Sequence, residues 1–181
     1  MTKRIEIAVL CIGLLTSLLQ LASLAADTAP AAPVPTQILA AKKVFIANAG
    51  GDQPFYEEPL FSAGPDRAYT QFYAAMKAWG RYELVGAPSD ADILIEILFT
   101  VPRIDQRVVR GEAVLMPIPY DPQFRVVIRD PKSSALLWVF TEHAEWAILQ
   151  RNRDRNFDHT LAKVVSDMQS LSASGDSANK P

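Results

Sequence analysis

The sequence predicts an α/β chain of the α+β kind, a two-layer sandwich in which a mixed, mostly antiparallel sheet carries two helices packed on one face. Three observations lead there. Five short runs are β-branched, aromatic or strictly alternating, as strands are. Two longer runs repeat apolar residues every three to four positions. Their order, strand, helix, strand, strand, strand, strand, helix, is most economically satisfied by an antiparallel-rich sheet with both helices on the same side.

The first strand is "KKVFIAN", Lys42 to Asn48, ended by Gly50-Gly51. A helix follows from Pro65 to Trp79, with Pro65 and Asp66 near its first turn and Gly80 placed for a left-handed cap. At 100° per residue Ala68, Tyr69, Phe72, Tyr73, Met76 and Trp79 share one side, and Thr70, Gln71, Ala74, Lys77 and Ala78 lie opposite. The dense aromatic run "QFYAAMKAWGRYELV" is therefore core rather than a binding platform, with Tyr82 and Leu84 on one face of the short strand that ends it.

Pro88-Ser89-Asp90 turns the chain into "ADILIEILFTV", where Ile93, Ile95, Ile97 and Phe99 alternate with Asp92, Leu94, Glu96 and Leu98. A right-handed crossover through the helix makes this strand a parallel neighbour of the first. "QFRVVIRD" repeats the alternation, and Asp130-Pro131-Lys132-Ser133 forms a hairpin connection to "ALLWVFTEHAEW". The last helix, about Asn156 to Leu171, sets Phe157, Leu161, Val164, Met168 and Leu171 on one stripe.

The ends of the chain read differently from this domain, which spans residues 42–171. Lys3 and Arg4, the apolar stretch Ile7 to Leu19, and Ser23-Leu24-Ala25 compose a secretory signal peptide over residues 1–25. Left uncleaved, the same stretch extends to the length of about 20 residues that a membrane span needs, with the rest of the chain outside the cytoplasm. Cleaved, it leaves an exported protein, periplasmic or extracellular, with no stable membrane insertion. Cys11, the only cysteine, follows Leu10 inside the apolar stretch, which is no lipidation site, and leaves with the signal, so no disulfide or thiol chemistry is expected. Residues 26–41, "ADTAPAAPVPT" and the five after it, form an Ala/Pro-rich linker, and residues 172–181 a core-free, disordered tail. A formal charge of −2 and a pI near 5.7 give no long-range attraction for nucleic acid.

Motifs for chemistry are sparse. Gly50-Gly51-Asp52 follows a strand, but the helix starts too late for a phosphate loop. His143 and Glu145 share a strand face, and His159 or Asp158 on the last helix completes a His-Glu-His set on paper; without an H-E-x-x-H motif the set reads as a solvated strand end. No metal and no cofactor are expected. Arg151, Arg153 and Arg155, diluted by Asp154 and Asp158, read as a solvated connection. Two long connections, Ala49 to Gly64 and Pro102 to Pro122, stand out because loops of that length tend to be functional or mobile. Their apolar residues, Phe55, Tyr56, Phe61, Met116, Ile118 and Tyr120, form either a partner surface or lids over the open face of the sheet, with "RVVRGEAVLM" as an added edge strand.

The segments "KKVFIANAGGD", "YTQFYAAMKAWGRYELV", "SDADILIEILF", "DPQFRVVIRDPKSSALLWVFTEHAEWA" and "RNFDHTLAKVVSDMQSL" together resemble a group of secreted bacterial proteins of unknown function, over roughly Lys42 to Leu171. More loosely the layout resembles small envelope α/β domains such as the N-terminal domain of the Tol-system propeller protein. That likeness implies a non-enzymatic binding or accessory module of the cell envelope, using the long loops or a sheet edge to meet a protein partner. The alternative is a small hydrolase acting on an envelope polymer through His143, Glu145 and His159.

Overall fold

Residues 32–51, 60–103 and 120–177 are described by the computed structural model, with side chains as far as residue 174. The signal peptide, linker residues 26–31 and the loop residues Phe55, Tyr56, Met116 and Ile118 lie outside them. What organises the remainder is a single apolar sheet face. β1 (Lys43–Asn48), β3 (Ile93–Thr100) and β4 (Gln123–Arg129) bury Val44, Ile46, Ile93, Ile95, Ile97, Phe99, Phe124, Val126 and Ile128 on one side. Strand periodicity sends every second residue there, so one pattern of alternation supplies the whole face.

Two further strands, β2 (Glu83–Leu84) and β5 (Leu136–His143), complete a five-stranded sheet of order β2-β1-β3-β4-β5. β1 runs parallel to both β2 and β3, with Val44 opposite Ile93 and Ile46 opposite Ile95, as the crossover through the helix requires. The longer ladders, β3 to β4 and β4 to β5, are antiparallel. The β4–β5 connection is held by Asp130, whose carboxylate accepts bonds from the Lys132 N–H at 3.0 Å and the Ser133 hydroxyl at 2.6 Å.

The three helices are α1 (Thr36–Ala40), α2 (Arg67–Trp79) and α3 (Gln150–Ser177). α2 packs on β1 and β3, α3 packs on β4 and β5, and the two helices touch each other. On α2 the buried residues are those of the expected stripe, Ala68, Phe72 and Met76, with Tyr69, Tyr73 and Trp79 at its margins. Gly80 ends the helix at φ 70°, its N–H on the Met76 carbonyl at 3.3 Å. α3 buries Phe157, Leu161, Val164, Met168 and Leu171.

The structure departs from the sequence reading at both ends. The segment expected as linker contributes α1, whose Ile38 is fully buried, with Ala41 buried and Val34 packed against the core. Ile38, with Val34 and Ala41 beside it and the Gln37 amide on Asp92 and Asp130, docks a run otherwise poor in large side chains. The tail expected to be disordered instead prolongs α3 to Ser177, with the Ser170, Ser172 and Ser174 hydroxyls turned back onto carbonyls three or four residues earlier. Gly51, read as part of a flexible turn, has a tighter reason to be glycine. A Cβ there would sit 2.1 Å from the Phe99 carbonyl oxygen.

Between the layers lies a buried cation. Arg67, in the first turn of α2, donates to Asp154 Oδ1 and Asp158 Oδ1, each at 2.6 Å, and to the Ser62 hydroxyl at 3.2 Å. Its guanidinium also lies 4.2 Å from the centroid of Phe157, a ring that meets Phe61, Phe99 and Phe124 at centroid distances of 5.9, 4.8 and 4.8 Å. Burial works against ionisation of Asp154, but the Ser62 N–H and the Arg67 guanidinium outweigh it and hold the carboxyl below its ordinary 3.8.

Arg67→Met is expected to cost about 3 kcal/mol in denaturant unfolding, since it strands Asp154 in the interface, whereas Asp158→Asn, at a half-exposed position, costs under about 1 kcal/mol. A carboxyl with a depressed folded pKa contributes stability at neutral pH and loses it as pH falls through 4 and then through the folded value. The acid limb of the stability–pH curve is therefore flatter in the Arg67→Met variant than in the wild type.

Candidate functional site

Two elements with different periods meet along the side of β5 on which no described strand pairs. The strand sends Trp138, Phe140 and Glu142 to the helix side at intervals of two, and α3 answers with Asp167, Ser170, Leu171 and Ser174 at intervals of three and four. Between them runs an open groove of about 290 Å³. A β-bulge opposite Ile128 and Arg129 shapes its upper end: Trp138 pairs with Ile128 and Leu136 with Arg129, leaving Leu137 over. Leu137 and Trp138, although consecutive, both pack against the core.

The groove has an apolar floor and a charged end. Glu142 takes an ion pair from Lys163, one turn before Asp167 on α3, and this contact raises the lysine's pKa, by hydrogen bonding first and charge second. Asp167 has no cation of its own. Burial, a hydrogen bond with Glu142 and the Glu142 charge together push its carboxyl above the ordinary 3.8. One ammonium thus serves two carboxylates.

A larger cleft, of about 460 Å³, lies where α1 meets the start of β1 and β3, lined among others by Gln37, Lys42, Asp92, Asp130 and Lys132. Its acceptors are already committed. Asp92 Oδ2 accepts the Lys42 and Lys43 N–H groups at 2.8 Å each, while the Gln37 amide bridges the Asp92 carbonyl and the Asp130 carboxylate at 3.1 and 3.3 Å. Hydrogen bonds hold both carboxyls low, from the Lys43 and Lys42 N–H groups on Asp92 and from Ser133 and Lys132 on Asp130. The cleft is the seam that docks α1.

The histidine set does not assemble as the strand face suggested. β5 ends at His143, whose Nδ1 lies 2.7 Å from Asp121 Oδ1, and Glu145 lies beyond the strand with its backbone carbonyl on the Asn156 amide at 2.8 Å. His159 is exposed on α3. Among the described residues no group of three His, Cys, Asp or Glu could hold a metal ion. Phe61, expected on a partner surface, is 2% exposed and packs edge-on against Phe99 at 5.1 Å, so it belongs to the core. Tyr120 is half-buried with its ring 4.6 Å from that of Trp146, and Arg103 pairs with it across the ends of the long connection. Of the basic trio, Arg153 is a brace: it bonds the Leu60, Ala147 and Ile148 carbonyls and lies over Trp146 at 5.1 Å. Sequence reasoning missed Glu142, Asp167 and the Trp138 floor, although each half of the groove is a legible stripe on its own element.

No protein-family model matches the chain, and no curated protein matches it. Among solved structures, a Helicobacter pylori protein described as a putative neuraminyllactose-binding hemagglutinin homolog aligns at 11% identity over 72% of this chain and 85% of its own, with a TM-score of 0.38. The uncharacterized lipoprotein B of Nitrosomonas europaea aligns at 14% identity over 81% of this chain and 94% of its own, with a TM-score of 0.40. Alignments this loose carry no functional argument. Neither is described as a Tol-system protein, and that likeness stays one of sequence pattern. Among the described residues no helix is long and apolar enough to cross a membrane.

Asp167→Asn tests the electrostatics of the groove. A carboxyl whose folded pKa is raised stabilises the fold below its unfolded pKa and loses that contribution as pH rises through the folded value. The neutral amide still donates to Glu142 and removes the penalty. The variant should be more stable than wild type at pH 7, by up to about 1 kcal/mol, with the gain vanishing near pH 4 in thermal unfolding.

Proposed function

We propose that this chain is a non-enzymatic, exported binding or accessory module of the cell envelope, and that it meets a protein partner along β5 and the connection that follows it. One observation carries the choice of surface: among the described residues the exposed large apolar side chains are Leu136, Val139, Ile148 and Leu149, all on β5 or on the connection leaving it. Scattered exposed apolar residues are ordinary, but Leu136 and Val139 stand on the edge strand whose helix-side face floors the groove with Trp138 and Phe140, and that combination is what a docking surface looks like. The leader-like N-terminus supports export, and the commitment of the larger cleft's polar groups to α1 leaves the β5 side as the better-supported surface.

A photo-crosslinking residue at Val139 should trap a discrete protein adduct in the producing cells, and one at Lys77, on the outward side of α2, should not. Equal adducts from both positions, or none from Val139, would sink the proposal. Replacing His143 and His159 by Ala should leave the Val139 adduct unchanged. Hydrolysis of an envelope polymer by the purified chain that disappears in this double variant would instead favour the hydrolase alternative.

A further inference from the structure

Resting on that reading of β5 as the partner edge, we infer that the groove accepts an extended peptide segment bearing a lysine or arginine, added to the outer edge of β5 as a sixth strand. β5 ends the strand order, so along its outer side no described strand takes up its backbone N–H and C=O groups. A strand laid there sends alternate side chains toward the helix layer, which is how peptides recognised by strand addition obtain specificity. What those side chains meet is fixed. Near the bulge they face Trp138, Phe140 and Leu171, which ask for apolar groups. Farther along they face Glu142 and Asp167, which share the single ammonium of Lys163 and lack one positive charge. An incoming ammonium or guanidinium supplies it and gives Asp167 a counter-ion.

A second copy of the chain fits less well. Antiparallel pairing of two β5 edges brings each Glu142 toward the apolar Trp138 end of the other copy, which offers no cation. The chain's net charge of −2 points the same way. The occupant the groove favours is therefore a basic strand from a different protein.

The test uses the full chain, labelled with ¹⁵N, and three probes: acetyl-Lys-Thr-Leu-Thr-Leu-Thr-Lys-amide, the same peptide with both lysines replaced by glutamate, and the lysine peptide with its backbone amides N-methylated. The probe reads the same apolar and basic sequence in either strand direction. The lysine peptide should shift the amide resonances of β5 and bind at least about fivefold more tightly than the glutamate peptide. The N-methylated peptide should not bind, because strand addition needs its N–H groups. The double variant E142Q/D167N, its folding checked by thermal unfolding, should lose the discrimination between lysine and glutamate peptides. Equal affinities, equal binding of the N-methylated probe, shifts confined to other elements, discrimination that persists in the double variant, or a concentration-dependent dimer joined through β5 would each overturn the inference. A Val139 adduct that forms undiminished in E142Q/D167N would leave β5 as the partner edge while removing the basic strand as its occupant.

Discussion

A guanidinium withdrawn from water has to be answered by acceptors, and the way Arg67 is answered fixes how the helix layer lies on the sheet. Its two carboxylates come from consecutive turns of α3, its hydroxyl from the segment before α2, and its π partner is Phe157 at the centre of an aromatic cluster that reaches β3 and β4. Removing Asp154 would leave the Arg67 charge poorly matched in the interface, and removing Arg67 would strand Asp154 there. The hydrophobic stripes of α2 and α3 bring the helices to the sheet without a unique azimuth. The planar fork of the guanidinium, one nitrogen on each of two carboxylates, supplies the missing orientation. α3 then lies over β4 and β5 rather than elsewhere on the apolar face, and the groove beside β5 exists because it does.

The carboxylates of the described chain divide by how they are satisfied. Asp92 and Asp130 accept backbone N–H groups, Asp154 accepts one together with the Arg67 guanidinium, and all three are held low. Asp167 alone is pushed up among the described residues, and its neighbour in that contact is another carboxylate. The first three are where the fold is stapled: α1 to the sheet, the β4–β5 turn, and α2 to α3. Asp167 meets β5 through another carboxylate rather than through a donor of its own, so its contact favours the protonated form where the other three favour the charged one.

Much of the architecture was legible because it depends on local period. Ile93, Ile95, Ile97 and Phe99 alternate, Phe72 and Met76 lie four apart on a helix, and a glycine at position 80 can only close that helix by turning left-handed; each of these reads correctly in isolation. Contacts that join periods are not so encoded. Arg67 looks like an ordinary charged residue of a first helical turn, since its partners Asp154 and Asp158 stand 87 and 91 residues away. Phe61 looked like a loop aromatic offered to a partner for the same reason. The groove shows the limit most plainly: the stripe Trp138, Phe140, Glu142 and the stripe Asp167, Leu171, Ser174 are each visible, but the face-to-face alignment of β5 with α3 is decided by the packing of other residues. α1 was hidden differently, because one buried isoleucine leaves almost no compositional mark.

The extra residue in β5 has a geometric consequence of its own. From His143 back to Trp138 the strand keeps strict register with β4, and at Leu137 the phase changes. A straight strand lying outside β5 can follow the ladder only over Trp138 to His143, after which the pleat and the local twist no longer match. The bulge is thus a ruler and a terminator in one. It measures out the length of edge open to pairing, and it denies endless edge-to-edge stacking the uninterrupted template that such growth requires.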